Sequence, residues 1–332
     1  MIIKHLVLSG GGDGGYILYG ALKYLSQNKY FNIENIETIH AVSIGALISV
    51  LVSLKYEWSE LDDYIIKRPW HKVISIKLTN ILNMWKKKGI LDIEIIVKTI
   101  LDSLLSAKGL SESITLKEFY EYNNIEIHMY TVRINSNSPI LIDLSYKTYP
   151  DLELYKAISM SAAFPFIFSP VIYKNECFVD GGFINNFPIN NCILNIENKD
   201  DNTKDSSRDN NDEILAFKLY DNIDNNPNNN PNNKKLIKDM EMHEYIYVLI
   251  NKLFGLISIN NNNNKQINKI NLVICKIDNY CNFLNWNKAI NDENIRHDMI
   301  KQGIKCGETY IKMKTDEANL NSSDKETKLN ID

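Results

Sequence analysis

One serine near the start of the chain has the surroundings of a catalytic nucleophile. Ser43 follows a short β-type run at 36–42 and precedes an apolar helical run at 44–54. A strand, a tight turn with serine at its tip and then a helix form a nucleophile elbow, whose usual pattern is G-x-S-x-G. The pattern here is A-V-S-I-G, with Ala41 at the first glycine position and Gly45 at the second. Taken alone, five such residues are more often the start of an ordinary buried helix.

A glycine-rich turn precedes this serine. The segment 9–15 reads S-G-G-G-D-G-G and lies between a strand-like run at 5–8 and a helical run at 16–27. Such a turn presents backbone N–H groups at a helix N-terminus, which favours a phosphate or a developing oxyanion. The glycines also fit the dinucleotide pattern G-x-G-x-x-G. That site needs an acidic residue at the end of the second strand, where this chain has Ser43. The oxyanion interpretation therefore fits better, and a purely conformational role stays open.

A third motif lies far along the chain. A predicted strand ends at Asp180 and is followed by Gly181, Gly182 and, at 185–188, N-N-F-P. A carboxylate at a strand end with little side-chain bulk around it could serve as a base. Asp-Gly pairs are also common in hairpin turns, so both interpretations stay open for this motif alone.

Composition limits the classes of function. The chain has 332 residues, a net charge of −4 and a pI near 5.9, which gives no general attraction to nucleic acid or anionic membranes. Its five cysteines lack paired metal spacing and indicate reduced thiols in an intracellular setting. The start of the chain lacks a secretory signal pattern, and no apolar run reaches the ~20 residues of a membrane-spanning helix. We therefore expect an intracellular protein, soluble or peripherally membrane-associated, without a metal site.

The order of elements predicts the fold class. Strands alternating with helices indicate an α/β sheet covered by helices on both faces. One domain is expected over 1–313, with low-complexity insertions near 197–212, 221–235 and 259–270 and a disordered polar tail at 314–332.

The segment between residues 58 and 111 is rich in lysine and contains Trp70 and Trp85. Tryptophan with lysine is typical of helices at a membrane interface, although an ordinary solvated helix face is the commoner explanation. Nucleic-acid binding is disfavoured because arginine is nearly absent from the segment.

The three motifs, in this order, resemble the patatin-like phospholipase family. The small-residue block at 159–170 and the N-N-F-P at 185–188 are similar to that family's segments before and after its aspartate. The resemblance covers residues 6 to about 189. It implies a three-layer α/β/α sandwich with a mostly parallel central sheet. It also implies hydrolysis of lipid ester bonds by a serine–aspartate dyad without a cofactor.

Carried over by position, the resemblance implies that Ser43 is the nucleophile and Asp180 the base. It further implies an oxyanion-hole loop formed by Gly10, Gly11, Gly12 and Gly15. Two departures matter. Ala41 replaces the usual first glycine of the elbow, and Gly14 stands where the family commonly carries arginine or lysine. The second change removes a positive charge near the loop but leaves the backbone donors in place.

Two alternatives stay open at the level of sequence. The departures at Gly14 and Ala41 also suit a catalytically silent protein on the same scaffold that binds lipids or other partners. A Ser–Asp–His triad with His243 or His297 is formally available, although α/β-hydrolases normally place several strands before the elbow. The expected substrate is a phospholipid or another acyl lipid, with transient contact to a membrane surface and no nucleic-acid partner.

Overall fold

The computed structural model describes residues 2–75, 77–200, 210–221, 270–277 and 283–329, together with Tyr245 and Leu249. The strands in this part of the chain are β1 (His5–Leu8), β2 (Thr38–Val42), β3 (Gly89–Leu91), β4 (Glu126–Arg133), β5 (Ile140–Leu144), β6 (Phe166–Phe168), β7 (Val171–Tyr173), β8 (Glu176–Asp180), β9 (Ile214–Asp221) and β10 (Asn271–Ile277). The helices are α1 (Gly15–Gln27), α2 (Ile44–Ser53), α3 (Trp58–Lys67), α4 (Trp70–Val73), α5 (Leu78–Lys87), α6 (Ile93–Ala107), α7 (Leu116–Asn123), α8 (Leu154–Ala162), α9 (Ile189–Asp200), α10 (Phe283–Asn291) and α11 (Glu293–Leu329).

A mixed sheet forms the centre of the molecule. Its described strands follow the order β10-β9-β1-β2-β4-β8-β7, and β5 pairs with β4 as well. The five strands from β10 to β4 are parallel to one another, whereas β5, β8 and β7 pair antiparallel to their neighbours. Strands β3 and β6 form a separate parallel pair. The predicted α/β class with a mostly parallel sheet is therefore confirmed.

Helices cover both faces of this sheet. In β1, Leu6 and Leu8 belong to the larger core, which packs under α1, α2, α6, α8 and α11, whereas Val7 belongs to a second core under α9. All four residues of β1 are buried, as expected for a central strand with helices on both sides. The predicted three-layer α/β/α arrangement is confirmed. None of the described helices combines the length and apolar character needed to cross a bilayer.

The C-terminal helix differs from the sequence-based expectation. The stretch 314–332 is predicted to be a disordered polar tail, but α11 continues through Leu329. Residues 314–329 contain neither glycine nor proline, and extending an anchored helix needs no new nucleation step. This correction moves the end of regular structure beyond residue 313.

The predicted insertions are only partly visible. The first one is helical as far as Asp200 and has a 3-10 turn at Asn210–Glu213. Residues 201–209, 222–235 and 259–269 lie outside the described residues. His243, one of the two histidines considered for a triad, lies outside them as well.

The first and last described helices pack backbone against backbone. A methyl group built on Gly303 of α11 would lie 2.0 Å from the carbonyl oxygen of Ile17 in α1. One built on Gly20 of α1 would lie 2.2 Å from the carbonyl oxygen of Ile300. Two glycines thus allow this close approach, which holds α1 and the glycine turn before it against the C-terminal helix.

We predict that Gly303→Ala destabilises the protein. Alanine favours a helix over glycine by about 1 kcal/mol, but overpacking costs about 1–3 kcal/mol, and backbone atoms cannot move aside as a flexible side chain can. The free energy of unfolding in urea should fall by about 1–2 kcal/mol. Glu308→Ala, at an exposed position of the same helix, is the control and should stay within about 0.5 kcal/mol. Equal stability of the two variants would contradict this packing.

Candidate active site

Strand β4 brings the serine motif and the aspartate motif together. On one edge of β4, β2 ends with Val42 opposite Tyr130, and β8 ends with Asp180 opposite the next residue, Thr131. Strand β5 occupies the other edge. Because β2 runs parallel to β4 and β8 runs antiparallel to it, the C-terminal ends of β2 and β8 abut. Ser43 and Asp180, which are 137 positions apart, therefore meet.

The two side chains are joined by a direct hydrogen bond. The Ser43 hydroxyl donates to Asp180 Oδ2 at 2.6 Å, and the Gly182 amide donates to Asp180 Oδ1 at 2.8 Å. Asp180 is 2% exposed. Burial raises the pKa of Asp180 to about 6, against the smaller lowering effects of the bonds from Ser43 and Gly182. A carboxylate with increased proton affinity thus contacts the serine hydroxyl directly.

The turn at Ser43 is strained. Ser43 has φ 56° and ψ −124°, a conformation that costs a non-glycine residue about 1–3 kcal/mol and is concentrated at functional sites. Gly45 makes the turn sterically feasible, since a methyl group there would lie 2.8 Å from the carbonyl oxygens of Leu8 and Ser9. Ala41, where glycine is usual, points its methyl group into the larger core and is fully buried. The alanine therefore fits without distorting the elbow.

Ser161 holds the backbone of this elbow. The Ser43 amide donates to Ser161 Oγ at 2.9 Å, and the Ser161 hydroxyl donates to the Tyr130 carbonyl oxygen at 2.7 Å. The amide of Ser43 is therefore not available to an anion. Sequence reasoning missed Ser161 as an individual residue, and its only signal was its place in the small-residue block at 159–170.

The glycine turn packs directly on the elbow. A methyl group on Gly10 would lie 3.2 Å from Ser43 Cβ, and one on Gly15 would lie 2.3 Å from Ile44 Cγ1. A methyl group on Gly181, in the aspartate motif, would lie 2.2 Å from the carbonyl oxygen of Tyr130. The three motifs thus reach one another only because these positions carry no side chain.

The glycine amides are not equally available. The Gly10 amide donates to the Asn186 carbonyl oxygen at 3.0 Å, and the Gly15 amide donates back to the carbonyl oxygen of Gly12. The amides of Gly11 and Gly12 donate to no acceptor within the described part of the chain. Two of the four predicted donors are thus engaged in holding the turn, and two are left for an anion.

Asn186 ties the glycine turn to the aspartate motif. Its Nδ2 donates to the Gly10 carbonyl oxygen at 3.3 Å, and its Oδ1 fills the space where a side chain on Gly10 or Gly182 would stand. In the sequence, Asn186 is noted only as part of the N-N-F-P resemblance. The structure indicates that this residue positions the loop.

No histidine of the described residues takes part in the contact between Ser43 and Asp180. His297 is exposed on α11, and no histidine of the described chain forms a hydrogen bond with Ser43 or Asp180. The described residues also contain no group of three or more histidine, cysteine or acidic side chains suited to a metal ion. The structure therefore gives no support to a triad with His297, whereas His243 lies outside the described residues.

An apolar cavity of about 120 Å³ opens beside the elbow. Gly12, Gly15 and Ile44, which flank the reactive centre, line one side of it. The remaining lining residues are Asp13, Tyr16, Tyr19, Leu47, Ile48, Leu51, Tyr64, Ile65, Trp70, Ile74, Ile100, Ala289 and Ile290. An apolar group bound there would lie against the residues next to Ser43.

Arg296 supports the far wall of this cavity. Its guanidinium is buried and donates to the carbonyl oxygens of Ile66, Ala289 and Ile290, at the C-terminal ends of α3 and α10. A cation at a helix C-terminus satisfies carbonyl groups that have no partner within the helix. Sequence reasoning did not identify Arg296, because its partners are backbone atoms and leave no motif.

Comparison with known proteins relates the chain to one family. Residues 6–193, more than half of the chain, match the family model described as patatin-like phospholipase. The chain belongs to this family. The probable lipid hydrolase 463L of Invertebrate iridescent virus 6 is 32% identical to this chain over 192 residues, which cover 57% of this chain and 63% of that protein. The uncharacterized protein R571 of Acanthamoeba polyphaga mimivirus is 29% identical, with 56% and 60% covered.

The matched segments thus span less than two thirds of either viral relative. Among solved structures, VipD from Legionella pneumophila covers 92% of this chain and 67% of its own, at 16% identity and a TM-score of 0.48.

We predict that Asp180→Asn stabilises the protein at neutral pH. The pKa of Asp180 is raised from 3.8 to about 6, so the folded state holds this proton more tightly than the unfolded state. The stabilisation that comes from binding this proton is therefore lost as the pH rises from 3.8 to about 6. At higher pH the buried carboxylate lowers the free energy of unfolding by up to about 3 kcal/mol. Asparagine keeps an acceptor for the Gly182 amide without the charge.

The measurement is the free energy of unfolding of both proteins at several pH values. The advantage of Asp180→Asn should shrink as the pH falls from about 6 towards 3.8 and should be lost below that range. Asp151→Asn, at an exposed position, should show no such advantage. Lower stability of Asp180→Asn at neutral pH would contradict the assignment of a strained, buried carboxylate.

Proposed function

We propose that this protein is a lipid acyl hydrolase in which Ser43 is the nucleophile and Asp180 the general base. The observation that carries the proposal is the 2.6 Å hydrogen bond between the Ser43 hydroxyl and buried Asp180, formed at a strained elbow. Membership of the patatin-like phospholipase family and the similarity to a probable lipid hydrolase support an acyl lipid as the substrate class.

The proposed chemistry begins with activation of the serine. A serine hydroxyl is a weak nucleophile until a neighbouring base accepts its proton. Asp180 accepts that proton as Ser43 Oγ forms a bond to the acyl carbonyl carbon, and the carbonyl oxygen becomes an oxyanion. When the ester bond breaks, the leaving alcohol takes the proton from Asp180 and the acyl group stays on Ser43. Water then gives a proton to Asp180 as its oxygen attacks the acyl carbonyl carbon. The bond to Ser43 Oγ breaks, Ser43 Oγ takes the proton back from Asp180, and the fatty acid leaves.

Stabilisation of the oxyanion is assigned to the free amides of the glycine turn. Gly11 and Gly12 supply two donors, and the N-terminus of α1 at Gly15 adds the positive end of a helix dipole. One such donor is worth about 3 kcal/mol in other hydrolases. Gly14 brings no positive side chain, so this protein relies on backbone groups where the family commonly adds a charge.

The cavity beside the elbow suits the acyl chain of the substrate. Its lining is largely aliphatic and aromatic, and it begins at Ile44, the residue after Ser43, and at Gly15, which packs against Ile44. A hydrocarbon chain bound there would leave water, which is favourable by roughly 25 cal/mol per Å² of apolar surface. The ester carbonyl would then lie between Ser43 and the glycine turn.

A catalytically silent lipid-binding protein is the competing function. It would need neither the strained φ of Ser43 nor a buried carboxylate, and both features cost stability. Their presence together supports catalysis. Measurements of activity with and without Ser43 separate the two functions.

We predict that Ser43→Ala abolishes acyl release from phospholipid and neutral-lipid substrates. The nucleophile is lost, so the rate should fall by about 10³-fold or more. Labelling by a fluorophosphonate probe should be lost as well. Ser106→Ala, at an exposed position of α6, is the matched control and should keep both. Unchanged labelling of Ser43→Ala, or no hydrolysis by the unmodified protein, would reject the hydrolase.

The pH dependence should report the ionisation of Asp180. Only the carboxylate form can accept the serine proton, so kcat/KM should rise with pH through about 6 and then level off. His297→Ala should leave the profile unchanged. A profile that depends on His297 would favour the triad instead.

A further inference from the structure

Helix α5 exposes an apolar stripe to solvent. Trp85 is 84% exposed, Leu82 71% and Ile81 48%. Their spacing places them on one side of the helix, whereas Met84, on another side, is half-buried. A helix at the surface of a globular protein normally turns its apolar stripe toward the core. The orientation of α5 is the reverse, which marks this stripe as an interaction surface.

The charge around the stripe is of one sign. Residues 68–91 contain one arginine, five lysines and no acidic residue, in a chain whose net charge is −4. The five lysines are exposed, and none forms an ion pair with a carboxylate among the described residues. They are Lys72, Lys77, Lys86, Lys87 and Lys88. The apolar stripe is thus framed by unpaired positive charge.

Both ends of α5 are connected to the cavity wall. Ile74, which lines the cavity, precedes the helix by four residues. After the helix, Leu91 of β3 packs in one cluster with Trp70, another residue of the cavity lining. Strand β3 pairs with β6, in which Phe166 is 51% exposed. The stripe therefore lies at the side of the molecule where the cavity is built.

We propose that α5 docks this protein on an anionic phospholipid bilayer, with Ile81, Leu82 and Trp85 inserted at the interface and the lysines against lipid phosphates. An amphipathic helix with tryptophan and leucine on one face and lysine around it lies in the plane of a bilayer surface. Anionic lipids attract such lysines. The choice of a lipid surface rests on the proposed function.

Other partners fit this surface less well. Protein interfaces are depleted of lysine at their centres, whereas lysine surrounds this stripe. Single-stranded nucleic acids are bound through basic side chains combined with stacked aromatic rings, whereas Ile81 and Leu82 of this stripe are aliphatic. A bilayer offers both an apolar layer and a negatively charged surface to the same helix.

Binding is measured without turnover in Ser43→Ala protein. The Ser43→Ala protein is sedimented with phosphatidylcholine vesicles that contain or lack phosphatidylserine. We expect binding to the phosphatidylserine vesicles that weakens with salt. The added double substitutions Leu82→Glu/Trp85→Glu and Lys86→Glu/Lys87→Glu should each weaken it by tenfold or more. Leu194→Glu, at an exposed leucine of α9 on the opposite face of the sheet, is the matched control and should bind as Ser43→Ala does.

A second measurement locates the contact. Brominated phospholipids quench tryptophan fluorescence on contact, so they should quench Ser43→Ala protein and quench Ser43→Ala/Trp85→Phe protein far less. Unchanged vesicle binding by both double variants would overturn the proposal. The proposal would also be overturned if the stripe joins two copies of the chain. That result would be seen as a dimer in solution that Leu82→Glu/Trp85→Glu separates into monomers.

Docking and catalysis can fail separately. Turnover of a short-chain, water-soluble ester by protein that retains Ser43 should be unaffected by Leu82→Glu/Trp85→Glu, while turnover of vesicle phospholipid falls in step with binding. Vesicle binding that depends on α5, in a protein that hydrolyses no ester, would reject the proposed function and support the docking surface.

Discussion

The whole arrangement depends on one hydrogen bond kept away from water. Ser43 and Asp180 meet because two strands of opposite direction end at neighbouring residues of β4. In that position the carboxylate has few other partners, and burial raises its pKa. The same burial that makes Asp180 costly for folding raises its affinity for a proton, as its proposed role of general base requires. Stability and proposed activity therefore oppose each other at this one side chain.

Much of the remaining site exists to hold that contact in place. Ser161 satisfies the strained amide of Ser43, and Asn186 connects the glycine turn with the aspartate motif. Gly10 and Gly45 allow the segments to approach closely. The loss of a basic residue at Gly14 leaves this framework intact, because the free amides of the turn belong to the backbone. The departure from the family pattern thus affects charge more than shape.

The sequence predicted what local patterns encode. Alternating strands and helices, the glycine turn, the elbow and the Asp-Gly-Gly motif were all visible, so the fold class and the candidate pair followed. Ser161 and Arg296 were not, because each acts on backbone atoms of distant segments. Trp85 and the lysines around it were noticed in the sequence as typical of a membrane-interface helix, but only the structure shows that Ile81, Leu82 and Trp85 face solvent. The helical extent of α11 was missed because a polar composition was interpreted as disorder.

The packing of α1 on α11 has a consequence for the limits of the folded unit. The family match ends at residue 193, yet β1 pairs on one side with β9, which begins at Ile214. A fragment cut at the match boundary would turn β1 into an edge strand with unpaired backbone groups and strip the cover from α1. Such a piece would tend to aggregate. The glycine turn between β1 and α1 is therefore supported by segments on both sides of residue 193, although the three sequence motifs all lie before it.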